Sequence, residues 1–174
     1  MLIMRKYICF IIIVLIGYFC NKGLEPPRHA PTGFSGVIRY QGTWFNDVQV
    51  NKLIASKVYR TFRNINEILF LVLETDSIDV HPSLSLQDNL PINVDSTLYT
   101  FQLPAGEYLY IAVVQAIGDP LNPSNWKVVG VYSDNPEWTP KRLLVADHVM
   151  QKNIDITVDF NNLPPQPFDT SLVR

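Results

Sequence analysis

"NIDITVDF" occupies residues 153–160, and its reading decides the fold class. Ile154, Ile156, Val158 and Phe160 fall on one side of an extended chain, with Asp155, Thr157 and Asp159 on the other. Successive side chains of a strand point to opposite faces, so this alternation predicts a strand with one buried and one wet face. The same pattern recurs upstream. "STLYTFQL" (96–103) places Tyr99, Phe101 and Leu103 together, and "GVIRYQG" (36–42) opposes Ile38 and Tyr40 to Arg39 and Gln41. "EYLYIAVVQAI" (107–117) and "KVVGVYS" (127–133) read as further strands, and "VNKLIASKVYRTF" (50–62) is strand-rich without clean alternation. "EILFLVLET" (67–75) is a continuous apolar run that fits a buried strand or a short buried helix; its strand-like neighbours favour the strand.

The segments between these runs carry turn chemistry. "LPAGEY" (103–108) predicts a short hairpin-like connection through Pro104 and Gly106. "GDPLNPSNW" (118–126) and "SDNPEWTPKR" (133–142) read as longer proline-bearing loops. "DSIDVHPSLSLQDNLPINVDS" (76–96) reads as irregular, with room for a short edge strand. About seven strands with no internal repeat and no amphipathic helix predict an all-β fold, a single antiparallel β-sandwich.

Two stretches carry a family resemblance. "YTFQLPAGEYLYIAVVQ" (99–115) resembles an aromatic strand, a Pro-Ala-Gly turn and a following apolar strand found in transthyretin-like, Ig-like sandwich domains of the carboxypeptidase regulatory-like kind. "GFSGVIRYQG" (33–42) is similar to their opening strand. Taken with the leader described next, the chain resembles small bacterial lipoproteins carrying such a domain. The resemblance implies a fold and no particular activity, since sandwich domains serve many functions.

The N-terminus has the layout of an export signal. Arg5 and Lys6 precede the uncharged run from Tyr7 to Phe19, which ends at Cys20. That run is short for a bilayer span, which needs ~20 residues, and suits a secretory core of roughly 7–15. Cys9 and Cys20 are the two cysteines of the chain, so the body holds no thiol and no disulfide framework. Cys20 resembles the acylated cysteine of bacterial lipoproteins, which implies a lipid anchor there. Phe19 departs from the small residue usual before it, and the alternative is a plain N-terminal transmembrane anchor. The resulting division is 1–19 signal segment, 20–33 proline-containing tether, 34–163 β-sandwich and 164–174 C-terminal tail. Prolines 26, 27 and 31 stiffen the tether.

Motifs of catalysis are missing from the linear sequence. "GFSG" (33–36) falls short of G-x-S-x-G, and a nucleophile elbow also needs a helix behind it. No phosphate loop, dinucleotide fingerprint or H-E-x-x-H occurs, and His29, His81 and His148 share no ligand spacing. Asp134 and Glu137 supply too few oxygens for calcium, and Asp155 and Asp159 read as solubilising charges. Lys57, Arg60 and Arg63 form a weak basic stripe, read as a solvated face. A net charge of −2 without a basic block gives no support to nucleic-acid binding. The sequence therefore predicts no catalytic residues, no metal site and no cofactor. Trp126, Tyr132 and Trp138, in or beside proline-rich loops, are the candidate ligand platform, because indole and phenol rings stack on sugars or anchor peptides. The expectation is a non-enzymatic, lipid-anchored module of the cell envelope with a structural or protein-interaction role. The alternative is a module binding carbohydrate or peptide through those aromatics. Its partners are the membrane, through Cys20, and an envelope protein or glycan.

Overall fold

A computed structural model of the chain describes residues 30–167, apart from 61, 63, 64 and 136. Cys20 and the signal segment lie outside the described residues. The strands are β1 (Gly33–Gln41), β2 (Val48–Ser56), β3 (Ile78–His81), β4 (Ser96–Gln102), β5 (Gly106–Tyr108), β6 (Tyr110–Ile117), β7 (Trp126–Val131), β8 (Leu143–Val145), β9 (Met150–Gln151) and β10 (Ile156–Asp159). One helix, α1 (Ile65–Leu73), precedes β3. The fold is mainly β, as the alternating runs predict.

The layering differs from the predicted antiparallel sandwich. Seven strands form one mixed sheet in the order β3-β2-β6-β7-β10-β1-β4, with β9 beside β1 and a separate β5–β8 pair. β1 runs parallel to β10, from Ile38↔Ile156 to Gln41↔Asp159, and antiparallel to β4. The sheet curls strongly, so that its two edges meet: the His81 ring of β3 lies 5.2 Å from that of Phe101 in β4. A curled sheet covers its own inner face and needs no second sheet of equal size. Register irregularities in β2 and between β6 and β7 supply local twist. Gly130 supplies close approach: a β-carbon there would lie 2.7 Å from the Val158 side chain.

The inner face holds the main core. Phe34, Ile38, Leu53, Ile111, Val113, Val129, Ile156 and Val158 are all fully or almost fully buried in it. Phe34 meets Tyr99 edge-on at 6.0 Å. A polar chain crosses one end of this face: Gln115 Nε2 donates to Asn51 Oδ1 (3.2 Å), and Asn51 Nδ2 donates to the Tyr40 hydroxyl (3.1 Å) and the Pro91 carbonyl (3.0 Å). Lys52 Nζ donates to the Ser85 and Asp88 carbonyls, so segment 85–91 is strapped beside the part of β2 that β3 does not reach.

Two local expectations are corrected. "EILFLVLET" contributes to helix α1 rather than to a strand. Ile68, Leu71 and Val72, spaced i, i+3, i+4, pack with Ile78 and Val80 of β3 and Ile54 of β2. "LPAGEY" is not a hairpin: β4 ends the sheet beside β1, whereas β6 lies between β2 and β7. The turn carries the chain across to the β5–β8 pair, where Tyr108 is fully buried. Its hydroxyl sits 2.9 Å from the Asp79 carboxylate and 3.0 Å from the Pro104 carbonyl. In "GFSG", Gly36 is required by packing, since a β-carbon there would lie 2.1 Å from the Ile154 carbonyl oxygen.

Ile156 is 1% exposed while Thr157 faces solvent. Ile156→Asp is expected to cost at least ~3 kcal/mol or to abolish folding, and Thr157→Asp no more than ~1 kcal/mol, read from urea midpoints. Burial, reinforced by Lys52, holds the His81 imidazole below the usual histidine range. The unfolded chain then takes up the proton first as pH falls. The stabilisation is full above about pH 6.5 and is lost as pH drops through the folded value. The urea midpoint is expected to fall between about pH 7 and pH 5, and to fall less in His81→Phe.

Candidate functional site

The site follows from β6, whose sequence "YIAVVQAI" has hardly a wet position along it. Ile111 and Val113 face the main core. Tyr110, Ala112 and Val114 therefore face outward, where Val128 and Val131 of β7 join them in a second apolar strip. An outward strip of this kind must be covered. α1 covers the neighbouring outer side of β2 and β3, while Ile54, Trp126 and Trp138 pack against the strip itself.

Cover is incomplete at the Tyr110 end, where a cleft of about 230 Å³ opens. Tyr59, Arg60, Tyr110, Val131 and Trp138 line it together with Pro164, Pro165, Gln166 and Pro167. The Tyr59 and Tyr110 rings stack at 5.2 Å with 14° between their planes, and Tyr59 remains 57% exposed. Burial, together with Tyr59, pushes the Tyr110 hydroxyl above the ordinary phenol range, so it stays a neutral donor and acceptor at physiological pH. The Arg60 guanidinium lies 5.4 Å over the Phe62 ring and 3.5 Å from the Glu67 carboxylate. It is the one charged residue among the described residues of the lining.

Residues 164–167 are held against the sheet by an amide clamp. Val128 N–H donates to Gln166 Oε1 (2.9 Å), and Gln166 Nε2 donates to the Val128 carbonyl (3.0 Å). The side chain thus imitates a neighbouring strand at a point of β7 that β10 does not pair, since that ladder registers at Val158↔Gly130. The Phe62 N–H donates to the Pro167 carbonyl (2.8 Å), and Pro164 is buried. Trp138, also on the lining, has φ of 59°, the left-handed region that bulky residues seldom occupy. Asn135 holds that turn: its carbonyl accepts from Trp138 N–H and its side chain from Thr139 N–H. Trp138 Nε1 is buried and has no hydrogen-bond partner among the described residues.

The three predicted platform residues do not share one surface. Trp138 lines the cleft. Trp126 sits at the opposite end of the strip, paired in register with Ala116, and its Nε1 donates to the Pro120 carbonyl (2.9 Å). Tyr132 belongs to the main core, with Lys141 Nζ 5.4 Å from its ring centre. Asp134 pairs with Lys141 (2.8 Å), and Asp155 with Arg39 (2.9 Å) and the Val37 N–H (3.0 Å). No group of three potential metal-ligating side chains occurs among the described residues. Sequence reasoning missed Tyr59, Tyr110 and the "PPQP" wall at 164–167. The available signals were the unbroken apolar run of β6, which demands an outer cover, and a proline cluster late in the chain.

Comparison with protein-family models, with curated proteins and with solved structures finds no match in any of the three.

Val128 is almost fully buried, so removing the clamp strands both of its backbone groups. Gln166→Leu is expected to lower stability by about 1–3 kcal/mol and Pro165→Ala, at an exposed position, by much less, measured by urea unfolding.

Proposed function

We propose that the protein is a non-enzymatic, membrane-tethered module of the bacterial cell envelope that engages a polypeptide partner at the Tyr59–Tyr110 cleft. The stacked tyrosine pair, in which Tyr110 is buried and Tyr59 left exposed, carries this reading. A ring left open beside a cleft, framed by an indole, a guanidinium and a proline-rich wall, has the composition of a protein-contact hot spot. Among the described residues, the lining holds no nucleophile–base pairing or carboxylate pair of the kind group transfer or hydrolysis would use. Localisation is supported by the leader, the proline-bearing tether and the cysteine-free body. Cys20 is proposed as the lipidated first residue of the mature chain, because two or more acyl chains are needed for firm anchoring.

Two measurements test these statements. A photo-crosslinking amino acid at position 59, in the full chain expressed in a bacterial envelope, is expected to give a discrete polypeptide adduct that Tyr110→Ala abolishes. The same probe at Leu121, exposed and outside the cleft lining, is expected to give none. Adducts at neither site, or equally at both, defeat the assignment of the cleft. Labelling with a fatty-acid analogue is expected to mark the wild type and Cys9→Ser but not Cys20→Ser, which should accumulate with residues 1–19 attached. An unlabelled wild type that retains its leader overturns the anchor.

A further inference from the structure

Resting on the reading of the cleft as a polypeptide site, we infer that its ligand is an extended, proline-containing segment carrying an acidic residue beside its prolines. Size is the first argument. At about 230 Å³ the cleft is smaller than the ~300–1,000 Å³ typical of small-molecule and cofactor sites, and it suits a few residues of extended chain.

The second argument is shape and surface. The protein already lays a proline-rich segment along this aromatic ground: Pro164 is buried, and the carbonyls of Pro164 and Pro167 accept from Gln166 Nε2 (2.9 Å) and the Phe62 N–H (2.8 Å). Pyrrolidine rings pack on aromatic faces, and a polyproline II segment arrives already extended, with little ordering entropy to lose. Tyr59 offers such a face beside that wall.

Hydrogen-bonding chemistry gives the third argument. The cleft wall is rich in donors: the Arg60 guanidinium, the tyrosine hydroxyls and the Trp138 Nε1–H, which has no acceptor among the described residues. A proline-rich peptide is the complementary object, since its carbonyls accept and its prolines bring no N–H to be left unpaired. The Trp138 indole must turn to expose Nε1 to a ligand carbonyl, because that atom is buried in the free protein. Arg60 sits with its side chain 57% exposed and Glu67 on one flank, and among the described residues no carboxylate belongs to the lining itself. An acidic ligand residue matches it.

The test uses the full mature chain in detergent and fluorescence anisotropy of a labelled peptide of repeated Glu-Pro-Pro units. Saturable binding is expected. Peptides of Lys-Pro-Pro and Glu-Ala-Ala repeats are each expected to bind at least about tenfold more weakly. Tyr59→Ala and Arg60→Gln are expected to weaken binding to a similar degree with unchanged circular dichroism, and Trp138→Phe to abolish the change in tryptophan fluorescence that accompanies binding. Equal affinity for the three peptides, or none for Glu-Pro-Pro, overturns the inference. If the adduct at position 59 still forms in that case, the cleft remains a polypeptide site and the ligand class alone is wrong. If it does not, both fall together.

Discussion

Burial of β6 on both faces is the constraint from which the rest of the structure follows. Its inward residues Ile111 and Val113 belong to the curl's interior, and its outward residues Tyr110, Ala112 and Val114 would be bare on a sheet with nothing behind it. Each fully buried aliphatic side chain is worth roughly 1.5–3 kcal/mol, so leaving that strip wet would forfeit a substantial part of a marginal stability. The covering comes from unlike pieces: a short helix on one side, two tryptophans, and a proline-rich strap pinned by one glutamine. Because the pieces are unlike, they meet imperfectly, and the gap between them is the cleft.

The opposite half of the sheet is wet outside. β4 alternates strictly, and its neighbour β1 carries Arg39, which reaches Asp155 across the outer surface. The sheet therefore has one dry half and one solvated half. The cleft arises at the dry half, where apolar side chains had to face outward.

This asymmetry also governs what could be read from the residues alone. One-sided strands advertise themselves, and the alternation in 96–103 and 153–160 located β4 and β10 correctly. The unbroken run of β6 is recognisable as a strand, yet nothing local tells which neighbours it takes. The apolar run at 67–75 is ambiguous for the same reason: absence of polar positions hides the period, and only its packing against Ile78 and Val80 resolves it as a helix. Sheet order depends on contacts between distant segments, so a turn such as "LPAGEY" looks like a hairpin until the partners are known. At the cleft, Trp138 was legible as an aromatic in a proline loop. Tyr59 was not, since its significance comes from stacking on Tyr110, some fifty residues away in sequence. The amide clamp of Gln166 on Val128 has no local signature at all.

The parallel pairing of β1 with β10 has a consequence for the order of events during synthesis. The Val37 N–H meets Asp155 across a separation of 118 residues, and the partners of β1 on that side are made long after it. Until then β1 has only β4 beside it, and the interior that Ile156 and Val158 help to close stays open. Contacts of such long range also slow folding, because chain closure must precede any gain from them. In a nascent chain β1 stays without those partners until residues 150–159 have been made.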